Sequence, residues 1–467
     1  MISPALYAAT LYLPLNDPLM PHAERMLSLS PQTIHKKPYS LSLLQNQAQK
    51  IAKQYPQLSH LILSQLQQRY GRSYQLNQTQ VAIKISSTDK AELLPYQQGE
   101  LIGTGLQLKL TASAQPYSWL KGQLRYRAQS QPNQQGGQLQ TAYLSLGTQW
   151  LQLDAGLRSH WLSSSPLNSP LFSNLAQNTP SLTLSNPQPW TQLGITFEAF
   201  LTQLDSQAGI RLNNTLSAGQ PYVIGTQLAF QLIPEWSLAL NRTFMFGGGD
   251  RTVGFKDFVE AFINPTGKDN VGLSNCTGSS PNCEFGNQQM LVESRFKSHI
   301  DTQPLDIIVQ VGAEDTERGS MTKIGNVFWG LEVGLPELFT HHAFRLRYEE
   351  WEAGWYVHHI YSEGYRNNGV ILGNYWAQLQ QNLVGKPGNQ ATLSWQTFQG
   401  LQNFQAIVRY LTTYDFPNTH KKTYHLLNAE LGIHHIQWQK LPFNLRLYAS
   451  ETLSRQTWFM LSLGVSF

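Results

Sequence analysis

Charge, long apolar runs and cysteine are all scarce in this sequence. Charged residues make up 13% of the 467 residues, about half of the roughly 25% that is typical of soluble globular proteins. No apolar run approaches the ~18 residues that a transmembrane helix needs. Aromatic residues, in contrast, reach 11%. These proportions exclude a disordered chain, a coiled coil and a helical membrane protein, and they do not fit a typical cytosolic enzyme.

The combination of few charges, many aromatic residues and no long apolar stretch is typical of a transmembrane β-barrel. Each strand of such a barrel shows lipid only every second residue, so its sequence stays mixed in polarity. The formal net charge of +4 is modest for a chain of this length. Because no basic run accompanies it, we expect no nucleic-acid partner.

The only two cysteines, Cys276 and Cys283, lie seven positions apart in a stretch of turn-forming residues. In an oxidising compartment such a pair could close a small loop by a disulfide. Two unpaired thiols are the alternative. A metal site is not expected, because no histidine lies close by in the sequence.

The chain divides near residue 75, and helical periodicity precedes that point. Apolar residues at spacings of three and four run through residues 41–54 and 57–70, and a weaker pattern covers 18–28. We predict that residues 1–75 form a helical bundle that caps a larger body and carries no catalytic cluster. The first residues lack the basic and apolar regions of an export signal, so we expect that a signal was removed or that the start lies upstream.

After residue 75 the apolar residues alternate with polar ones, most clearly in the last strand. Alternate positions there are apolar and end on an aromatic residue: Phe459, Leu461, Leu463, Val465 and Phe467. A terminal aromatic after such a pattern resembles the C-terminal strand of bacterial outer-membrane barrels. The assembly machinery of the outer membrane recognises that strand, so we expect this machinery as a partner during biogenesis.

Similar alternation recurs along the chain, with ionisable residues on the polar faces, as at Arg345, Arg347 and Glu349. Such faces suit a hydrated or plugged lumen, whereas the apolar faces suit lipid. We count about eighteen alternating runs, the strand number of large porin-like barrels. The prediction is a mainly β fold, in which residues 76–467 form a transmembrane antiparallel β-barrel of about 18 strands. A soluble two-sheet sandwich is the alternative.

Short and long connections are expected at opposite ends of this barrel. Joints at Pro116, Pro234 and Pro442 are short and resemble periplasmic turns. Three links are exceptionally long, and a barrel of this size would enclose an aqueous channel unless something filled it. We therefore predict that these links form a plug or a lid; they cover residues 158–190, 247–288 and 354–376.

Two of the long links carry motifs that point to a family. Residues 356–365 contain His358-His359-Ile360-Tyr361 and end in a Gly-Tyr pair, and Leu372-Gly373 follows. This stretch resembles the His-His-Ile-Tyr…Gly-Tyr…Gly…Leu-Gly signature of Wzi-type capsule assembly proteins.

A second motif is similar to the Gly-Gly loop of the same family, which leads to an Asp-Asn pair. Here a run of three glycines from Gly247 precedes Asp250, and Asp269 and Asn270 follow. One element departs from the family pattern, because Trp161-Leu162-Ser163 stands where a Trp-Gly-Pro element is expected. Plug contacts are therefore expected to differ in detail.

The resemblance covers almost the whole chain and implies both architecture and role. It implies an eighteen-stranded barrel in the outer membrane of a Gram-negative bacterium, with a periplasmic helical bundle and long loops at the cell surface. Such barrels are closed rather than porous, and they act as lectins that attach capsular or other extracellular polysaccharide. We expect a monomer surrounded by outer-membrane lipid. A porin or saccharide-specific channel is the alternative, and conduction through the lumen distinguishes the two.

Candidate sugar-binding residues follow from the chemistry of saccharides. Aromatic faces stack on the C–H surfaces of pyranoses, and carboxylate, amide and guanidinium groups form hydrogen bonds with hydroxyls or charged sugars. Each aromatic residue could instead belong to a membrane girdle or pack within a plug. The candidates are Trp351, Trp355, Tyr356, His359, Tyr361, Glu363, Tyr365, Arg366, Asp250, Asp269 and Asn270.

Signatures of enzymes and cofactors are mostly missing from the sequence. It contains no Gly-x-Ser-x-Gly elbow, no His-Glu-x-x-His motif and no phosphate-binding Gly-x-x-x-x-Gly-Lys loop. Adjacent residues such as His358 and His359 point to opposite sides of an extended chain and cannot readily share a metal ion. We therefore expect no enzyme, no metal and no cofactor; an outer-membrane lipase built from distant residues is the alternative.

Overall fold

A computed structural model gives the architecture of the chain. It describes residues 8–88, 90, 92–212, 215–251, 256, 259, 286–316, 324–375, 377, 387–414, 423–438, 441–451 and 456–467. Within these residues, three helices precede one large antiparallel sheet that closes on itself.

Eighteen strands of the described chain form this sheet. We number them in chain order: β1 (Tyr74–Ser86), β2 (Gly105–Ala114), β3 (Leu120–Gln131), β4 (Gln134–Gly147), β5 (Gln152–Leu157), β6 (Pro180–Ser185), β7 (Thr196–Gln203), β8 (Tyr222–Ile233), β9 (Trp236–Phe246), β10 (Gly286–Ile300), β11 (Gln303–Ala313), β12 (Phe328–Leu338), β13 (His342–Trp351), β14 (Gly388–Gln399), β15 (Gln402–Tyr414), β16 (Thr423–Trp438), β17 (Leu441–Glu451) and β18 (Thr457–Ser466).

The first and last strands close the barrel. β1 pairs with β18 in an antiparallel register that runs from Gln80 opposite Ser466 to Ser86 opposite Met460. Closure removes the exposed edges that an open sheet would leave, which is a requirement for β-structure in a bilayer. The prediction of an antiparallel barrel of about 18 strands is therefore confirmed.

The period-two pattern places apolar side chains outside and polar ones inside. On β18, Leu461 and Leu463 are 39% and 45% exposed, whereas Met460 on the opposite face is 1% exposed. On β13, Leu346 points outward while Arg347 and its inward neighbours are buried. A soluble sandwich would bury the apolar faces instead, so the barrel reading of the alternation holds.

Three helices precede the barrel, as predicted: α1 (Met20–Leu29), α2 (Leu41–Ile51) and α3 (Pro56–Tyr70). The Ser40 hydroxyl caps α2 by accepting the Leu43 N–H at 3.1 Å, and Pro56 starts α3 at a position where its missing N–H costs nothing. Apolar residues of the three helices, among them Leu44 and Ile62, pack into one core. In the described chain no helix is both long enough and apolar enough to cross a membrane.

Connections differ sharply between the two ends of the barrel. At one end, here the turn end, most connections are short, and 186–195 is the longest described one. The short ones are 115–119, 148–151, 234–235, 301–302, 339–341 and 400–401. The opposite end, here the loop end, carries the long connections, which include 87–104, 158–179, 204–221 and 352–387.

Four connections differ from the sequence-based boundaries, and one of them, the link expected over 354–376, spans 352–387. The link expected over 158–190 is interrupted by β6, and the link expected over 247–288 ends where β10 begins at Gly286. The joint expected at Pro442 lies one residue inside β17, opposite Gln437. Proline is compatible with the first residues of a strand, because few ladder hydrogen bonds are needed there.

Candidate functional site

Residues 158–179, which we call the plug, fill the middle of the barrel. They leave the wall after β5 and run inward until Trp161 forms two backbone hydrogen bonds of 3.0 Å with Lys37 of the N-terminal segment. The Lys37 ammonium lies 4.7 Å from the centre of the Trp161 ring, and the indole N–H donates to the Ser165 carbonyl at 3.1 Å. Plug and N-terminal segment therefore meet inside the lumen.

Glu293 on β10 joins the wall to both internal segments. Its carboxylate lies 2.6 Å from Nδ1 of His35 in the N-terminal segment. It also accepts the Ser163 hydroxyl at 2.6 Å and the Ser164 N–H at 2.8 Å, both from the plug, and a hydrogen bond from Gln310 on β11. This carboxylate is fully buried, so these hydrogen bonds are needed to stabilise its charge.

Glu349 on β13 has a corresponding role nearer the loop end. It accepts hydrogen bonds of 2.7 Å from Asn168 of the plug and from Asn374 of the connection after β13. Arg347 on the same strand donates to it at 2.7 Å. One buried carboxylate thus holds the plug and this connection against the wall.

Glu198 on β7 anchors the beginning of the plug. Arg158 donates to it at 2.8 Å, and Nδ1 of His160 lies 2.8 Å from its other oxygen. The His160 ring also stacks on Phe200, with 3.8 Å between ring centres. At Glu198 the polar inner face of the wall is therefore occupied by buried partners from the plug.

Residues 352–375, which we call the lid segment, cover the plug at the loop end. Their tyrosines are tied to other elements through their hydroxyls. Tyr361 donates to the Gly247 carbonyl at 3.0 Å, Tyr365 donates to the Asn287 carbonyl at 2.9 Å, and Tyr356 donates to the Pro170 carbonyl. The lid segment is thereby connected to the wall, to the plug and to the glycine-rich turn after β9.

The aromatic candidate residues face the interior. Tyr361 and Tyr365 are 0% exposed, and Trp351, Trp355 and Tyr356 are at most 6% exposed. No face of these rings is open to a sugar in this arrangement. These positions are the ones expected of aromatic residues that pack inside the barrel. Direct stacking on a saccharide would require the lid segment to open.

The polar candidate residues behave differently. Asp250 and His359 are exposed, and Glu363 and Arg366 are partly exposed. The Glu363 carboxylate accepts the Ala208 N–H at 2.6 Å, which fixes its position at the surface. Asp269, Asn270, Cys276 and Cys283 lie outside the described residues, so these predictions have no structural test.

A small hairpin completes the outer face. It comprises Gln207–Leu212 and Thr215–Gly219 and lies on the lid segment through an isolated bridge between Ile210 and Tyr361. The Arg211 N–H donates to the Ile360 carbonyl at 2.8 Å. We call the exposed face formed by residues 206–212, 215–219, 247–251 and 358–369 the lid surface.

The lid surface presents both charge signs and amide groups. Its exposed or half-exposed members are Arg211, Asp250, His359, Glu363, Arg366 and Asn368. Such groups can donate to and accept from sugar hydroxyls, and their guanidinium groups can pair with sugar carboxylates. Within the described residues, no cluster of histidine, cysteine and acidic side chains has the geometry of a metal site.

Sequence reasoning missed two parts of this region. Neither the hairpin that carries Arg211 nor the loop 87–104, whose Tyr96 and Glu100 enter the lumen, was expected to contribute. The available signal was weak: each stretch is moderately long and interrupts the alternation, and the loop contains Pro95 and two glycines.

Burial of His358 is expected to make packing of the lid segment sensitive to acid. Burial, followed by the neighbouring charges of His359 and Arg251, lowers the pKa of His358 to about 3, and its Nδ1 accepts the Ile360 N–H at 3.3 Å. An open lid segment would return this pKa toward its ordinary value of about 6.5. The open form therefore binds more protons between these two values, and the closed form loses stability as the pH falls through this window.

We expect acid to increase opening of the lid segment by up to about tenfold for each pH unit below 6.5. Hydrogen–deuterium exchange of residues 354–375, corrected for intrinsic rates, measures this opening at pH 7 and pH 4.5. His358→Gln, which cannot take up the charge, should lose most of the difference between the two pH values. Equal pH dependence in both proteins would show that His358 does not control the lid segment.

Comparisons with known proteins agree with the architecture. Residues 75–437 match the family model described as capsule assembly protein Wzi. Among solved structures, Wzi of Escherichia coli, an outer-membrane protein involved in group 1 capsule assembly and described as a carbohydrate-binding β-barrel, matches with a TM-score of 0.70 and 14% identity over 98% of this chain and 99% of that chain.

Two other solved structures match with lower TM-scores. OccAB4 of Acinetobacter baumannii matches with a TM-score of 0.48 and 11% identity over 84% of this chain and 97% of its own. OpdQ of Pseudomonas aeruginosa matches with a TM-score of 0.46 and 10% identity over 84% and 96%, respectively. A comparison with curated proteins found no match.

Proposed function

Because this chain belongs to the Wzi family of capsule assembly proteins, we propose that it is an outer-membrane lectin that attaches capsular or extracellular polysaccharide to the cell surface. The family relationship makes a carbohydrate the expected ligand. The barrel fold, with its apolar outer face, supports the outer membrane as the location and membrane lipid as its surroundings.

One structural observation supports the proposal: residues 158–179 enter the lumen, where buried carboxylates of the wall hold them. Glu198, Glu293 and Glu349 each bind the plug to a different part of the wall. A transport channel needs an open path, and an eighteen-stranded barrel would have one without such a filling. The filled lumen favours binding at the outer face over conduction, so we rank the porin alternative second.

The proposed orientation follows from the two ends of the barrel. Bacterial outer-membrane barrels have short turns in the periplasm and long loops outside. The turn end and the helices, which precede β1 at that end, would then lie in the periplasm, and the lid surface would lie at the cell surface. We propose a monomer without catalytic activity, whose biogenesis uses the barrel-assembly machinery.

The lid surface is the proposed contact with polysaccharide. Within it, His359 and Arg366 from the lid segment and Asp250 from the glycine-rich turn carry accessible polar groups. The buried tyrosines support this surface from below, because Tyr361 connects the lid segment to Gly247 next to Asp250. Asp269 and Asn270 remain candidates in the same role.

A triple variant tests this assignment. Alanine at Asp250, His359 and Arg366 should weaken binding of the purified barrel to its host's immobilised polysaccharide at least about tenfold, because hydrogen bonds to charged groups contribute about 1.5–3 kcal/mol each. Arg72→Ala is the matched control, since Arg72 is exposed next to β1 at the turn end. Equal affinity of the triple variant and the wild type would exclude these residues as contacts.

A further inference from the structure

Two neighbouring cavities lie inside the barrel, and the smaller of them lies where β1 and β18 close it. The larger has a volume of about 160 Å³ and the smaller of about 30 Å³. They share Asn16, Gln97 and Arg446 as lining residues. The wall of the smaller cavity comes from five consecutive strands of the sheet: β3, β2, β1, β18 and β17.

The lining of the smaller cavity is strongly positive. Its charged members are the cations Lys84, Lys109, Arg125 and Arg446 and a single carboxylate, Glu100. The formal net charge of this lining is therefore +3. Each of these side chains is at least largely withdrawn from solvent, so water does not screen the excess.

Glu100 is already committed to other partners. It pairs with Lys84, with Lys109 at 3.2 Å and with Arg127 at 3.1 Å. Burial alone would raise the pKa of Glu100, but these three cations together hold it well below its ordinary value. The carboxylate is thus ionised and shared among three cations, and among the described residues it forms no direct ion pair with the two arginines of the lining.

Arg125 and Arg446 are these two arginines. Arg125 is 4% exposed and makes no hydrogen bond or ion pair with any described residue, and its Nε is buried without a partner. Arg446 has one hydrogen bond among the described residues, a contact of 3.5 Å with the Tyr448 hydroxyl. The carboxylates that attract them, Asp17 for Arg125 and Glu430 for Arg446, are paired with Arg69 and Arg409 instead. A buried guanidinium without a direct anionic partner is costly, because its hydration is lost with little compensation.

We propose that the smaller cavity binds a small inorganic oxyanion of the phosphate or sulfate class, with Arg125 and Arg446 as its principal ligands. A guanidinium group donates in a planar fork that matches the spacing of two oxyanion oxygens. About 10–15 Å³ of such space holds one water molecule, so the cavity has room for a small ion but not for a saccharide. The larger cavity next to it provides space for exchange.

The bound anion would stabilise the place where the barrel closes. Arg125 lies on β3 and Arg446 on β17, and the strands between them are β2, β1 and β18. An anion between the two arginines draws strands from the beginning and the end of the chain together. This contribution is independent of the proposed polysaccharide binding at the lid surface.

Equilibrium dialysis of the purified full-length protein with radiolabelled phosphate tests the proposal. After exhaustive dialysis into phosphate-free chloride buffer, the wild type should take up one phosphate per chain. Arg125→Gln and Arg446→Gln should each reduce the affinity at least about tenfold, because each removes a charge-assisted donor. Arg211→Gln, which changes an exposed arginine of the lid surface, should bind as the wild type does.

The unfolding temperature, measured with and without phosphate, provides a second test of the proposal. At constant ionic strength, phosphate should raise the unfolding temperature of the wild type but not that of Arg125→Gln. Without phosphate, Arg125→Gln should be at least as stable as the wild type, since it lacks the buried guanidinium that has no direct ion pair. Absence of saturable phosphate binding by the wild type, or equal binding by both arginine variants and the wild type, would overturn the proposal.

Discussion

Removal of the plug is expected to turn a non-conducting barrel into a porin-like channel. Leu157 and Pro180, the residues on either side of the plug, pair directly across β5 and β6. Residues 158–179 can therefore be replaced by a short Asn-Gly turn without straining the wall. The intact protein should show little steady current in planar bilayers, whereas the variant should show large, long-lived openings, because eighteen strands enclose an aqueous lumen once the filling is gone.

A deletion in the hairpin at the loop end, which does not fill the lumen, provides the control. Shortening the hairpin between Gln207 and Gly219 removes residues above the lid segment and leaves the plug and its carboxylate anchors in place. That variant should remain closed. Large currents through the intact protein, or silence of a plug deletion that still assembles as a heat-modifiable barrel, would contradict the account of a filled lumen.

The second large effect is expected at Glu293. Glu293→Ala removes the carboxylate that His35, Ser163, Ser164 and Gln310 share. These buried donors would lose their acceptor together, and breaking a buried ionic cluster by removing one partner costs about 3–5 kcal/mol. Since whole domains are stable by about 5–15 kcal/mol, the folded form should be lost at a markedly lower temperature.

The matched control for this variant is Glu350→Ala. Glu350 is a partly exposed carboxylate on β13, and no hydrogen bond or ion pair joins its side chain to another described residue. Heat-modifiability on gels, measured over a temperature series, should separate Glu293→Ala clearly from the wild type and leave Glu350→Ala close to it. Similar transitions for the two variants would mean that Glu293 does not hold the internal segments.

The barrel itself could be predicted from the sequence because one physical rule governs most of its strands. Lipid on the outside and packed polar groups on the inside impose alternation, so pairs such as Leu346 and Arg347 reveal their faces directly. The helices could be predicted for a similar reason, since a stripe at spacings of three and four exposes one buried face.

Other features were not accessible by this route. β6 has only six residues, Pro180–Ser185, and Pro187 follows it. Its alternation is therefore too short to be distinguished from the long link around it. The insertion of His35 and Lys37 into the lumen depends on partners more than a hundred positions away in sequence. Local patterns carry no information about such contacts.

The candidate site, too, could be predicted only in part from the sequence. A motif rich in aromatics and histidine identifies a segment, but it does not say which side chains face inward. The structure buries Tyr361 and Tyr365 and leaves His359 and Arg366 accessible. An aromatic ring can pack within the protein or stack on a sugar, so only its burial in the structure distinguishes these two roles.

The most direct test of the central claim compares polysaccharides. Purified full-length barrel should bind the high-molecular-weight surface polysaccharide of its own host saturably, and it should bind an unrelated polymer of similar size and charge much more weakly. Biolayer interferometry with both polymers immobilised at equal density measures this difference. Equal or undetectable binding of the two polymers, with sugar-dependent current through the intact protein, would contradict the account and identify a channel.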